Sequence, residues 1–208
     1  MSAASCSGVI LAGGEHKRLP GINKALVRIN NRPVIDYLFD TFRKFFSEII
    51  IVTNEPELFL HLDAAIVTDL FPTRSSLTGI QTGIFYSRAP YAFFSACDMP
   101  FLKKEVIQLL IDSIHSNIDI SIPKTTLGLE PLCAVYSKAC LPAVTEYLKQ
   151  GNPKIMNFFS RVKVHHLSEA QLRAVDPNLD SFSNINTPYD LEQAQNRFSG
   201  SPDPWRTQ

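Results

Sequence analysis

The chain has 208 residues with Lys+Arg 20 against Asp+Glu 20, so it carries no formal net charge when its histidines are neutral. That balance disfavours an electrostatically driven nucleic-acid or membrane binder, and 45% hydrophobic against 19% charged residues is too apolar for disorder and enough for one sizeable core. No apolar run approaches the roughly 20 residues that cross a bilayer, residues 1–7 lack the basic flank of an export signal, and Cys6, Cys97, Cys133 and Cys140 form no C-x-x-C pair. Free thiols in a cytoplasmic protein are the expectation.

In chain order, residues 8–12 are a continuous apolar run ended by Gly13-Gly14, the pattern of a buried parallel strand. Asn30-Asn31 is turn-like, and Val34, Leu38, Phe42 and Phe45 recur at helical spacing, predicting an amphipathic helix over 34–46. A strand at 49–52, a short helix at 56–62, a strand at 65–68 and a polar loop over 69–76 follow. Next come a helix at 79–87, a strand at 91–96 and a helix at 103–115. Strands at 118–122 and 132–136 flank a Thr/Gly turn, helices are expected at 139–149 and 154–159, and late strands at 162–167 and 181–185. Pro188 suits the first turn of a last helix running to about residue 198, with 199–208 a frayed, disordered tail beyond a single domain over 1–198. This alternation predicts an α/β fold, an open and mostly parallel sheet with helices on both faces, in which ligands bind beyond the carboxyl ends of the strands.

Three segments fall at such ends. Gly13 to Lys24 joins glycines to the cations Lys17, Arg18 and Lys24, which makes a phosphate cradle on paper, although neither the P-loop nor the G-x-G-x-x-G spacing occurs. Asp98, in Cys97-Asp98-Met99-Pro100-Phe101, has two readings: a carboxylate for Mg²⁺, or the cap of a helix starting near Phe101. Asp69 shares them, with a lean toward capping or turn formation before Pro72. His16, His61, His115 and His165-His166 have no metal-ligand spacing, and no base is placed beside Ser75, Ser76, Cys97 or Cys133, so covalent catalysis is unsupported.

Leu11-Ala12-Gly13-Gly14, three residues, Arg18, Leu19 and, further on, Lys24 resemble the signature of nucleotidyltransferases that use an NTP to cap a phosphorylated acceptor. The segments Asn31-Arg32-Pro33, Leu77-Thr78-Gly79, Cys97-Asp98-Met99-Pro100-Phe101, Glu130-Pro131-Leu132 and Asn184-Ile185-Asn186-Thr187-Pro188-Tyr189-Asp190-Leu191 narrow the resemblance to the MobA-like molybdenum cofactor guanylyltransferases. It spans about residues 8 to 195. The resemblance implies a Rossmann-like nucleotidyltransferase fold and transfer of GMP from Mg²⁺-GTP to molybdopterin, giving the guanine dinucleotide cofactor and pyrophosphate. It assigns Leu11, Ala12, Gly13, Lys24, Asp69 and Asp98 to the nucleotide, Asp98 also to Mg²⁺, Arg18 and Gly21 to the reaction centre, and Asn184 and Asn186 to the pterin substrate. Arg18, Lys24 and Asp98 would then offset charge during transfer without a covalent intermediate, and the product would pass to proteins that mature molybdoenzymes. The chain departs from the pattern at Pro20, where glycine is usual, at Val52, where an asparagine is usual with Asn54 two residues on, and at Ser75-Ser76-Leu77-Thr78-Gly79 in place of Gly-Pro-Leu-Ala-Gly. The same loop would serve a cytidylyltransferase or a sugar-1-phosphate nucleotidyltransferase, and a module that carries nucleotide or cofactor would bind without forming product.

Overall fold

A computed structural model describes residues 6–13 and 23–200. An eight-stranded sheet has the order β10-β7-β9-β6-β1-β4-β5, with β8 paired to β7. Its interior strands are β1 (Cys6–Leu11), β4 (Ile49–Val52), β6 (Tyr91–Ala96), β7 (Ile120–Thr125) and β9 (Cys133–Ser137), while β5 (Ala65–Val67) and β10 (Val164–Ser168) form the edges and β8 is Gly128–Leu129. β1 pairs in parallel with β4 and β6, through Ile10↔Ile51 and Ile10↔Ser95, and β10 in parallel with β7. Only β9 and the short β8 run against the rest, so the sheet is mostly parallel as expected.

The side-chain period of two divides each apolar run between two cores. Ile10, Ile51, Phe93 and Val135 face one layer, while Val9, Ile50, Phe94 and Tyr136 face the other. Helices α1 (Val34–Arg43), α3 (Lys104–Asp112) and α5 (Glu169–Val175) cover the first face, and α2 (Ser76–Tyr86) with α4 (Leu141–Lys149) covers the second. A smaller cluster joins Val27, Ile29, Val34, Tyr37 and Ile185 to Ala194 and Phe198 of the last helix, α6 (Pro188–Gly200). The hairpin β2 (Arg28–Ile29) to β3 (Arg32–Pro33) turns through Asn30 and Asn31, both with positive φ (47° and 64°), the backbone that a two-residue hairpin loop requires and asparagine tolerates.

Several boundaries differ from the sequence reading for local reasons. The helix expected over 34–46 ends at Arg43, and residues 44–46 continue as turns that still bury Phe46. Ser75 Oγ accepts from Thr78 N–H, so α2 begins at Ser76 rather than at 79. The helix expected over 154–159 is instead the tighter 3₁₀ segment Ile155–Arg161, with Lys154 at its cap position. Residues 181–185 are not a strand: a 3₁₀ turn covers Asp180–Phe182, and Ser181 donates its N–H to Asp176 and accepts from Lys103 N–H at its Oγ instead of pairing with a sheet neighbour. α5 was not foreseen, although the Ser168-x-x-Gln171 capping box that opens it is legible.

The second layer depends on the absence of a side chain at Gly83 of α2. A Cβ there would lie 2.6 Å from the Phe94 ring and 2.7 Å from Val9 Cγ1, both fully buried. Alanine would gain about 1 kcal/mol of helix propensity, but overpacking costs about 1–3 kcal/mol. Gly83→Ala is expected to lower stability by about 1 kcal/mol net, as an earlier urea midpoint; an unchanged or later midpoint would show slack between α2 and the sheet.

Candidate active site

Two polar clusters form at the carboxyl edge of the sheet. The first surrounds the chain leaving β1. Ala12 N–H donates to the Val52 carbonyl at 2.9 Å, and Cys97 N–H donates to the Leu11 carbonyl at 3.1 Å, so residues 11–13 stay aligned with both neighbouring strands. Gly13 adjoins Asn54, and Asn54 Nδ2 donates to Asp69 Oδ2 at 2.8 Å. Burial raises the Asp69 carboxyl above its ordinary range, against the opposing pull of Asn54 and the Arg74 charge. Asp69 is not the helix cap: Ser75 caps α2, and Thr78 Oγ1 donates to the Thr73 carbonyl at 2.6 Å to fix the loop before it. The amino end of α2 rests on β1, since a Cβ on Gly79 would stand 3.0 Å from Leu11 Cδ2.

The second cluster joins three segments far apart in sequence. Lys24 opens a 3₁₀ turn capped by Asn23, whose Oδ1 accepts from Ala25 N–H and whose Nδ2 donates to Glu55 Oε2 at 2.9 Å. The Lys24 ammonium lies 3.3 Å from Asp98 Oδ2 and donates to Asn186 Oδ1 at 2.5 Å. Ile185 N–H donates to the Asp98 carbonyl at 3.0 Å. Thr187 and Asp190 hold Asn186 by a reciprocal cap: Asp190 Oδ2 accepts from the N–H groups of Asn186 and Thr187, and Asp190 N–H donates to Thr187 Oγ1. The Thr-Pro-x-Asp spacing carried that signal in the sequence.

Asp98 is buried, 8% exposed, and does not cap a helix, because α3 begins at Lys104 with Lys103 at its cap position. Burial raises its carboxyl, and the charge and hydrogen bond of Lys24 pull the other way. Its Oδ1 and the Oδ1 of Asn184 are buried without a hydrogen-bond partner among the described residues. Unpaired buried acceptors are costly and call for a donor or a cation. Of the residues expected at the site, Lys24, Asp98 and Asn186 therefore meet directly, Asn184 adjoins them in the chain, and Leu11, Ala12, Gly13 and Asp69 line the neighbouring cluster. Arg18 and Gly21 lie outside the described residues. Asn54, which the sequence offered as a stand-in for the family's asparagine absent at Val52, is the partner of Asp69.

An ammonium, a carboxylate and amide groups gathered at the end of a parallel sheet are groups that can position a charged substrate and offset its charge, which is what nucleotidyl transfer requires. The family described as the MobA-like NTP transferase domain matches residues 8–167, and the chain belongs to it. It is 45% identical over 189 residues to a molybdenum cofactor guanylyltransferase of Desulfosudis oleivorans, covering 91% of this chain and 94% of that protein. It is also similar to the crystal structure of molybdopterin-guanine dinucleotide biosynthesis protein A from Archaeoglobus fulgidus, with a TM-score of 0.84 and 28% identity over 94% of this chain and 100% of that one. A nucleotidyl transferase from Methanothermobacter thermautotroptrophicus shares the fold at 16% identity, with a TM-score of 0.73 over 94% of this chain and 98% of that one.

Proposed function

We propose that the protein transfers GMP from GTP to the terminal phosphate of molybdopterin, forming molybdopterin guanine dinucleotide and releasing pyrophosphate. The observation that carries this reading is the Lys24 ammonium joined at once to Asp98 and Asn186, in a chain 45% identical to a molybdenum cofactor guanylyltransferase. An oxygen of the acceptor phosphate forms a bond to the α-phosphorus as the bond to the pyrophosphate oxygen breaks, and the leaving pair of phosphates carries away the electrons.

The chain's own groups supply position and charge. Backbone groups of Leu11, Ala12 and Gly13, with Asp69 and its partner Asn54 beside them, hold the nucleotide. Lys24 offsets the negative charge of the phosphates, and the resemblance to the family assigns Arg18 and Gly21, which lie outside the described residues, to the reaction centre. Asn184 and Asn186 seat the pterin substrate. The residues also fit a magnesium ion: Asp98 Oδ1 is a hard oxygen with no hydrogen-bond partner among the described residues, and Mg²⁺ commonly takes one or two carboxylates with phosphates and water completing its shell. When bound, the ion would neutralise phosphate charge next to Asp98.

All four cysteines are free, and no helix among the described residues is long and apolar enough to cross a membrane; both support a cytoplasmic site of action, with the product handed to proteins that mature molybdoenzymes. The assignment of the acceptor seat is tested with Asn186→Ala. The expected result is an acceptor KM raised about tenfold, from loss of a charge-assisted hydrogen-bonding group, with GTP affinity nearly unchanged by calorimetry. Weakened GTP binding with normal acceptor use would contradict it.

A further inference from the structure

Lys103 closes the segment that begins at Asp98, and it is tied to residues more than seventy positions away. Its backbone N–H donates to Ser181 Oγ at 3.0 Å, and its ammonium donates to Asp176 Oδ1 at 2.6 Å and stands 3.6 Å from Asp180 Oδ2. Asp176 is wholly buried, and its other oxygen accepts from Ser181 N–H at 2.8 Å. The tie continues into α6, where Arg197 donates to Asp180 Oδ1 at 3.0 Å and lies over the Phe101 ring, itself stacked on Phe198. Residues 98–103 and 176–186 are thus joined at both ends, by this clasp at one and by Ile185 N–H on the Asp98 carbonyl at the other.

An ion pair with one buried member, as here where Asp176 is buried and the Lys103 side chain is 36% exposed, adds little net stability compared with apolar residues of the same volume. Its directional bonds instead fix register, which side-chain packing alone leaves free to slide. Burial raises the Asp176 carboxyl, but Lys103 and the Ser181 N–H more than reverse this and hold it below the ordinary carboxylate range, so the pair is charged. Between the clasp and Lys24 lie only Phe182 to Asn186, a segment without sheet partners of its own.

We propose that Lys103, Asp176 and Ser181 are positioning residues for the transfer reaction: their clasp sets the register of residues 183–186 against Asp98, so that Asn184 and Asn186 meet the acceptor substrate beside Lys24. This rests on the reading of that segment as the acceptor seat. None of the three touches the reacting groups, and their effect passes through the backbone they hold.

The test combines amide hydrogen exchange with steady-state kinetics on the full chain carrying Asp176→Asn, Ser181→Ala or Lys103→Arg. Asp176→Asn and Ser181→Ala are expected to speed exchange of the Ile185 amide by about tenfold or more while the amides of Ile10 and Ile50 keep their protection. Both should raise the acceptor KM about fivefold, with kcat less affected and GTP affinity within about twofold of the parent. Lys103→Arg keeps the charge and should stay near the parent values. If Asp176→Asn does not fold, Ser181→Ala, which deletes one hydroxyl, carries the test. Unchanged exchange at Ile185 in Ser181→Ala would overturn the clasp, and so would faster exchange with a normal acceptor KM. Asn186→Ala then tells the two premises apart: if it impairs acceptor use, the clasp alone has failed, and if it does not, the acceptor seat has failed.

Discussion

Asp98→Asn is expected to lower kcat by about three orders of magnitude without loss of stability. The amide keeps the shape of the side chain but removes the negative charge that faces Lys24 and the hard oxygen available to a cation. The same change relieves the fold. Burial disfavours the ionised carboxyl at this position, so at neutral pH the charge opposes folding, and a neutral amide is expected to leave the thermal midpoint level or higher. Mg²⁺ with GTP should raise the midpoint of the parent and not that of the variant. Near-parent turnover at saturating Mg²⁺ would remove Asp98 from the metal site, and a sharply lowered midpoint would make its role structural.

Lys24→Ala should have the opposite signature in stability and a comparable one in activity. Removing the ammonium takes a donor from Asn186 and the counter-charge from Asp98, whose side chain is 11% exposed. An uncompensated buried carboxylate destabilises by about 3–5 kcal/mol when it stays ionised; proton uptake by Asp98 limits the loss, and about 1–2 kcal/mol is expected at neutral pH. kcat/KM for GTP should fall about a hundredfold if, as proposed, Lys24 offsets phosphate charge. The double variant Lys24→Ala/Asp98→Asn should recover stability relative to Lys24→Ala, a coupling that denaturant titration reads directly. Unchanged GTP kinetics in Lys24→Ala would place the lysine outside the site.

The parts of the fold legible in the sequence were those in which one short run settles its own structure. Residues 49–52 and 91–96 coincide with β4 and β6, because a strand buried on both faces reads as a mainly apolar run, broken in β6 only by Ser95. Residues 181–185 also read as a strand, yet Phe182 and Ile185 are apolar residues in a segment whose polar groups bond to Asp176, Lys103 and Asp98. Those partners lie outside any local window. The site divides in the same way. Asp98 and Lys24 stood out by chemistry and by their places after strands, but their meeting with Asn186 joins positions 74 and 162 residues from Lys24, a consequence of topology that spacing does not encode. Asn54 and Asp69 came together because β4 and β5 are parallel neighbours.

The measurement that bears most directly on guanylyl transfer is mass spectrometry of the product after the purified protein is incubated with Mg²⁺, freshly released molybdenum cofactor and GTP, CTP, ATP or UTP in turn. The expected result is the guanine dinucleotide form of the pterin with GTP alone, and pyrophosphate in equal amount. A cytosine dinucleotide from CTP would keep the fold and the transfer chemistry but contradict the assignment of guanine, and GTP binding without product from any nucleotide would contradict catalysis itself.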